Sequence, residues 1–229
     1  MTLHIMALPH TQLTKAYLCC AYTQKIIKLC KMLHTEGISV TVYAGEENDT
    51  PAKLAVCVTK QTQKIYGHGS PEQYNTFAWD RDTPLWKVFH KNAILALKNR
   101  VKPGDIIGTF SGLCDEEIIR AFPQCRFVEL GIGYDGIIPD SFHVFESAAW
   151  MNTVYGRKYG ASNANGRFYD TVIPNYFEPD DFPFAEKQGD YVLYVGRMIG
   201  RKGLAIINDV AKRMQNTKFI LAGPGARVD

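Results

Sequence analysis

Apolar and polar positions follow two alternating patterns over residues 1–173 of the chain. Residues 38–43 switch between apolar and polar at every step, which predicts a strand. Residues 15–35 carry apolar side chains at helical spacing and end before Gly37, which predicts a helix. The same reasoning predicts further strands at 3–8, 54–58, 105–110, 126–130, 142–146 and 169–173. This alternation predicts an α/β domain whose parallel sheet is covered by helices on both faces.

Local signals predict where two helices of this domain begin. Residues 67–83 are rich in glycine, proline, asparagine and aspartate and predict a long loop. Thr83 is expected to cap the next helix, with Pro84 in its first position. Asp115 and Glu117 are expected in the first turn of a short helix, where negative charge is favourable. A further helix is predicted at 148–155.

The strand and helix pattern stops at residues 174–189 and then restarts. This segment is rich in proline and acidic side chains, as an interdomain linker is. Strands are predicted at 191–195 and 218–222, with a helix at 203–214 between them. One βαβ unit of about forty residues buries too little surface to be stable alone. Residues 190–229 are therefore expected to be the incomplete start of a second domain, or an addition to the first.

Composition and charge exclude several classes of function. The net charge is +3 over 229 residues, so no strong field favours nucleic acid or an anionic membrane. Apolar runs such as 191–195 are too short to cross a bilayer, and the first residues resemble a strand rather than a signal peptide. The six cysteines show no zinc-ligand spacing and are expected to be reduced and mostly buried. A cytoplasmic protein is the expectation.

A cationic loop follows the first strand of the second unit. The strand leads directly into Gly196 and Arg197, and Lys202 and Gly203 follow at the predicted helix start. The carboxyl end of a parallel strand opens onto the crevice where α/β proteins bind ligands. Unpaired N–H groups at a helix start, an arginine fork and a lysine together suit a diphosphate. The alternative is a solvated turn that binds nothing.

A second glycine loop is expected beside the first. Gly223 and Gly225 end the next strand of the same unit, as Gly-Pro-Gly. Because the two strands are neighbours in the predicted sheet, their loops should lie side by side. Glycines there let a phosphate or a flat base approach the backbone closely.

These motifs resemble those of the large retaining glycosyltransferase family with two Rossmann-like domains, family four of the GT-B architecture. Gly196-Arg197, four residues and Lys202-Gly203 resemble its donor-phosphate motif, and residues 172–175 resemble its Ile-Pro-Asn element. The resemblance implies a GT-B-like fold with an acceptor-side domain and a nucleotide-sugar-binding domain. It implies a UDP-, GDP- or ADP-sugar donor, no metal cofactor, and retention of the anomeric configuration. The acceptor stays open between a glycan, a lipid, a protein and a modified base.

The chain also departs from that family's pattern. The paired glutamates of the family would lie beyond Asp229. The glycine-rich loop after the first strand is replaced by residues 9–14, where His10 and Thr11 are candidates for the opposite wall of the cleft. An exposed loop histidine is the alternative for His10.

Two carboxylates are candidates for orienting the acceptor hydroxyl. Glu129 ends a predicted strand and Asp135 follows in the glycine-rich turn after it, so both are expected to face the cleft. Glu146 has a weaker claim of the same kind. An ordinary role in fixing the loop is the alternative for each.

Other readings remain open at this stage. Asp80 and Asp82 form a DxD, a metal-binding pattern in the other glycosyltransferase architecture, but they lie in a loop before a helix start. A Rossmann oxidoreductase would need a G-x-G-x-x-G after the first strand, and none is present. The chain could also be a catalytically incomplete scaffold that binds a glycan or partner, or a nucleotide-sugar epimerase.

Overall fold

The computed structural model describes residues 1–71 and 77–225. Residues 72–76 of the predicted long loop and residues 226–229 of the predicted second domain lie outside the described residues. The strands of the described chain are β1 (Leu3–Met6), β2 (Val40–Ala44), β3 (Lys53–Val56), β4 (Ile106–Thr109), β5 (Arg126–Ile132), β6 (Phe142–Phe145), β7 (Thr171–Val172), β8 (Tyr191–Val195) and β9 (Lys218–Ala222). Its α-helices are α1 (Ala21–Thr35), α2 (Lys60–Ile65), α3 (Pro84–Lys98), α4 (Glu116–Ala121), α5 (Ala148–Tyr159) and α6 (Leu204–Arg213).

The chain divides into two compact units, Met1–Glu178 and Pro179–Asp229. The first unit contains a seven-stranded sheet in the order β3-β2-β1-β4-β5-β6-β7, and every neighbouring pair is parallel. The predicted α/β class with a parallel sheet is confirmed.

The order of strands reverses beside β1, because the chain runs outward through β2 and β3 and then returns to β4 on the other side. In open α/β sheets this reversal leaves a crevice at the carboxyl ends of the two strands, where ligands commonly bind. The loops that follow β1 and β4 therefore mark one place to look for a site. His10 and Thr11 lie in the first of these loops.

Alternate residues of the strands pack on opposite faces of the sheet. Ile5 of β1 packs with α1, whereas its neighbour Met6 packs with α3. Trp86 and Phe89 of α3 are fully buried against the second face. This period of two follows from the pleated strand, so the core faces could be derived from the alternation alone.

The described residues of the second unit form a two-stranded parallel sheet and the ten-residue helix α6. Strand β8 pairs with β9 from Tyr191 opposite Lys218 to Val195 opposite Ala222, and α6 connects the two. Leu193 and Val195 of β8 stay 51% and 74% exposed. A βαβ unit covers one face of its strands with its helix and leaves the other open.

Two helix starts differ from the sequence-based prediction. Thr83 does not cap α3 through its side chain; its hydroxyl instead donates to the carbonyl of Asp80, 2.9 Å away. Asp115 precedes α4 within a 3₁₀ turn and is fully buried, so it is not a solvated residue of the first turn. Pro84 does occupy the start of α3.

The predicted helix at 15–35 is divided, and one short helix was missed. Lys15–Tyr17 forms a 3₁₀ turn, and α1 begins only at Ala21. Helix α2 has six residues, too few for a helical pattern of apolar side chains, and it is capped by Thr59, whose hydroxyl accepts from the N–H of Thr62.

Candidate functional site

The two glycine loops of the second unit contact each other. The N–H of Gly196 donates to the carbonyl of Ala222 at 2.9 Å, and the N–H of Met198 donates to the carbonyl of Pro224 at 2.9 Å. A Cβ atom on Gly223 would lie 1.9 Å from the Gly196 carbonyl oxygen. The backbones therefore approach so closely that a side chain at position 223 cannot fit without a shift. The expectation that the two loops lie side by side agrees with this geometry.

The cations of the first loop lie near the beginning of α6. Arg197 is half-buried, and its carbonyl accepts a hydrogen bond from the Tyr194 hydroxyl at 2.9 Å. Lys202 is exposed and ends a 3₁₀ turn, and Gly203, with φ +80°, immediately precedes α6. Among the described residues no carboxylate forms an ion pair with Arg197 or Lys202. Their charges are thus available to an anion.

Glu129 lies inside the first unit and does not face a cleft. It is fully buried, and its Oε2 accepts from the Tyr134 hydroxyl at 2.9 Å. Its Oε1 accepts from the N–H of Ile138 at 2.5 Å and lies 2.9 Å from the Ser141 hydroxyl. The carboxylate therefore fixes residues 134–141 to the end of β5, as the loop-fixing alternative expects.

Asp135 and Glu146 have different surroundings from Glu129. The Asp135 side chain is 63% exposed and pairs with Arg157 at 3.2 Å, a contact of little energetic weight at the surface. Glu146 pairs with Lys25, whose Nζ lies 2.5 Å from Oε2 and 3.1 Å from the Gly131 carbonyl oxygen. The structure does not bring Glu129 and Asp135 together on one surface.

His10 and Thr11 are buried after the end of β1. The imidazole of His10 stacks on Phe77 with the ring centroids 3.6 Å apart, and the Thr11 hydroxyl lies 2.7 Å from that of Thr23. Burial, with a smaller contribution from His68, lowers the pKa of His10 to about 3. His10 is therefore a neutral, packed ring at neutral pH rather than an exposed loop histidine.

The buried His10 should make stability depend on pH. Between pH 3 and 6.5 the unfolded chain binds a proton at this imidazole that the folded chain excludes, so stability falls as the pH is lowered. We expect His10→Phe, which keeps a ring beside Phe77, to remove about 2 kcal/mol of the difference in unfolding free energy between pH 8 and pH 5. Urea unfolding at both pH values measures this difference. An equal pH dependence in both proteins would contradict it.

A layer of buried polar side chains lies at the carboxyl end of β4 and the adjacent part of β5, and sequence reasoning did not predict its burial. Thr109 is paired in register with Glu129, and both are buried. His90 of α3 lies nearby, with its Nε2 3.1 Å from the Oδ1 atom of Asp115, and burial raises the pKa of that carboxyl against the opposing hydrogen bond from His90. The sequence carries a signal for it, because Thr109 and Glu129 occupy strand positions where the alternation calls for apolar residues.

Comparisons with known proteins show the fold. No family model and no curated protein matches the chain. Among solved structures, it resembles the N-terminal domain of trehalose-6-phosphate phosphatase from Candida albicans, with a TM-score of 0.51 and 14% identity. The likeness covers 98% of this chain, which spans 64% of that one. The chain has a Rossmann-like α/β fold.

The DxD is engaged in local contacts. Asp80 accepts from the N–H of Asp82 at 2.9 Å, and Arg81 between them pairs with Glu116 at 2.5 Å. In the part of the chain that the structure describes, no group of three or more histidine, cysteine or acidic side chains is arranged to hold a metal ion. Over the same residues, no helix combines the length and apolar character that a membrane span requires.

The burial expected of the cysteines is found for three of the six. All six are free thiols. Cys30, Cys57 and Cys114 are buried, and the other three are half-buried. Burial raises the pKa of Cys57 to about 12 and that of Cys114 to about 11, so neither is a thiolate at neutral pH.

Proposed function

We propose that this protein is a glycosyltransferase of the GT-B type, which moves a sugar from a nucleotide-diphosphate sugar to an acceptor hydroxyl. The observation that carries the proposal is the pair of touching glycine loops, at Gly196 and Gly223, with Arg197 and Lys202 unpaired by carboxylates among the described residues. Gly223 lets the two loops come into contact, and the two cations match the charge of a diphosphate. Their order along the chain matches the motifs of the family named above.

The proposed chemistry is electrostatic. Negative charge grows on the diphosphate as the sugar–phosphate bond breaks, and fixed positive charge lowers the barrier when it is already in place. Arg197 would bind two phosphate oxygens, Lys202 would add a compact charge, and the first N–H groups of α6 would add a partial positive charge. The first turn of α6 contains no acidic side chain to oppose this. The resemblance implies that these groups replace a metal.

The residues proposed to contact the acceptor differ in their exposure to solvent. Asp135 is exposed and could reach an acceptor hydroxyl, while Glu129 and His10 are buried. We therefore propose Asp135 as the carboxylate to test first. An Asp135→Asn protein is the relevant variant, and its transfer rate would be compared with that of Glu129→Gln.

Titration with UDP-, GDP- and ADP-sugars tests the proposal. Calorimetry on the full chain should show saturable binding of at least one of these nucleotide sugars. Titration with free UDP, GDP and ADP then identifies the nucleobase that the protein recognises. Product analysis by mass spectrometry then separates sugar transfer from epimerisation of the donor. A folded protein that binds none of these compounds would contradict the proposal and favour the scaffold alternative.

A further inference from the structure

A cavity of about 120 Å³ lies in the first unit, on the face of the sheet that α1 covers. One wall is α1, through Leu29 and Met32. The floor is formed by the sheet, at Leu130 of β5 and Val144 of β6. Lys25, Lys28, Ile173 and Asn175 are among the other lining residues. The cavity therefore belongs to Met1–Glu178 alone.

The walls of this cavity are apolar and incompletely covered. Leu29, Leu130 and Val144 are half-buried, and Ile173 is 55% exposed. Phe145, the neighbour of Val144, points to the opposite face, where it packs against α5. An engineered apolar cavity of about 150 Å³ binds benzene, so this space suits a single ring or a chain of about six carbons.

Lys25 and Lys28 line the cavity, and they differ in whether a carboxylate pairs with them. Lys25 is neutralised by Glu146 at 2.5 Å and donates to the Gly131 carbonyl at 3.1 Å. The Nζ of Lys28 lies 4.3 Å from the ring centroid of Phe177, and no described carboxylate pairs with it. The amide of Asn175 is directed to Glu146 at 3.4 Å. Positive charge therefore remains at Lys28, while Glu146 repels an anion from the Lys25 end.

We propose that this cavity binds a small organic anion with one ring or a short alkyl chain. The apolar body fills the space over Leu130 and Val144, and the anionic group pairs with Lys28 of α1. The cavity is too small for a peptide helix or for a face of a second copy of the chain. Charge and volume together select the ligand class, and all the lining residues belong to the first unit.

Fluorine NMR titration of the full chain with 4-fluorobenzoate and with 4-fluorobenzamide tests the proposal. The two probes have nearly the same shape and differ in charge. We expect the anion to bind about tenfold more tightly, since a charge-assisted contact stabilises by at least one such factor. Equal affinities for the two probes would overturn the assignment to Lys28.

Three variants locate the binding. Lys28→Met keeps the apolar stem and removes the charge, so it should weaken benzoate about tenfold and leave benzamide unchanged. Leu29→Phe and Val144→Phe fill the cavity from two different walls and should abolish binding of both probes. Lys53→Met removes an exposed charge away from the cavity and is the matched control. A loss in Lys53→Met equal to that in Lys28→Met would overturn the proposal.

One readout does not depend on how the filling variants fold. With methyl-labelled methionine, the Met32 signal of the wild-type chain should shift on addition of 4-fluorobenzoate, because Met32 lines the cavity. The signal of Met6, which packs with α3 on the other face of the sheet, should not. A Met32 signal that stays in place while the probe binds would show that binding occurs elsewhere.

Discussion

Replacing both Arg197 and Lys202 by glutamine is expected to weaken nucleotide-sugar binding by at least about 100-fold. Each charge-assisted contact to a phosphate contributes about 1.5–3 kcal/mol, and each 1.4 kcal/mol is a factor of ten. Neither side chain pairs with a carboxylate among the described residues, so stability should change by no more than about 0.5 kcal/mol. Calorimetric titration of the wild type and the variant with UDP-, GDP- and ADP-sugars measures the proposed affinity.

The same helix offers a matched control. Lys212 and Arg213 lie in the last turn of α6, at the end opposite to the glycine loops. Replacing both by glutamine removes the same charge and should leave nucleotide affinity within about twofold, because exposed charges at this separation are largely screened at physiological salt. Equal losses in the two double variants would mean that net charge, rather than the loop, attracts the nucleotide.

Sequence reasoning predicted the elements that have a clear period. The strand predicted at 38–43 corresponds to β2 (Val40–Ala44). The strands at 191–195 and 218–222 have the predicted bounds. Parallel pairing is also expected for strands separated by helices, because such strands must cross over to pair. The pairs β2–β3 and β5–β6 are joined by loops and are parallel as well. These features depend on local pattern, which one sequence contains in full.

The depth of polar side chains could not be predicted in the same way. Glu129 was expected to end a strand, where a carboxylate is exposed in many α/β proteins, but it lies within β5. Here the chain after β5 folds back over it, and the N–H of Ile138 and the Tyr134 hydroxyl bind its oxygens. Whether a strand end is open depends on this return of the chain, which no periodicity encodes.

The burial of His10 could not be predicted from the sequence either. It lies in a loop without apolar pattern, so exposure is the natural expectation. Phe77, far along the chain, stacks on its ring and buries it. Loop packing between distant segments leaves little local signal, and the candidate wall residues were therefore placed by chain order alone.

In the first unit, the buried polar side chains have to be assigned either to stability or to function. Thr109 ends β4 and lies beside Glu129 of β5, near the strand ends where ligands commonly bind, yet both are buried. A polar residue near the carboxyl end of a strand can therefore either bind a ligand or fix the adjacent loop. A stability measurement distinguishes them, because a binding residue is seldom needed by the fold.

Replacing Glu129 by alanine is expected to lower the free energy of unfolding by about 3 kcal/mol or more. The substitution leaves the N–H of Ile138 and the Tyr134 hydroxyl buried without an acceptor, and each unsatisfied group costs about 1–3 kcal/mol. A typical domain has about 5–15 kcal/mol in total, so this loss is large. Urea unfolding at neutral pH, followed by circular dichroism, measures it.

Two further variants make this test specific. Asp135→Ala removes an exposed carboxylate from the same segment and should change stability by no more than about 0.5 kcal/mol. Glu129→Gln keeps one carbonyl oxygen for the N–H of Ile138 and should cost less than the alanine variant. A fully stable Glu129→Ala protein that had lost sugar transfer would instead return Glu129 to the list of residues that act on the acceptor.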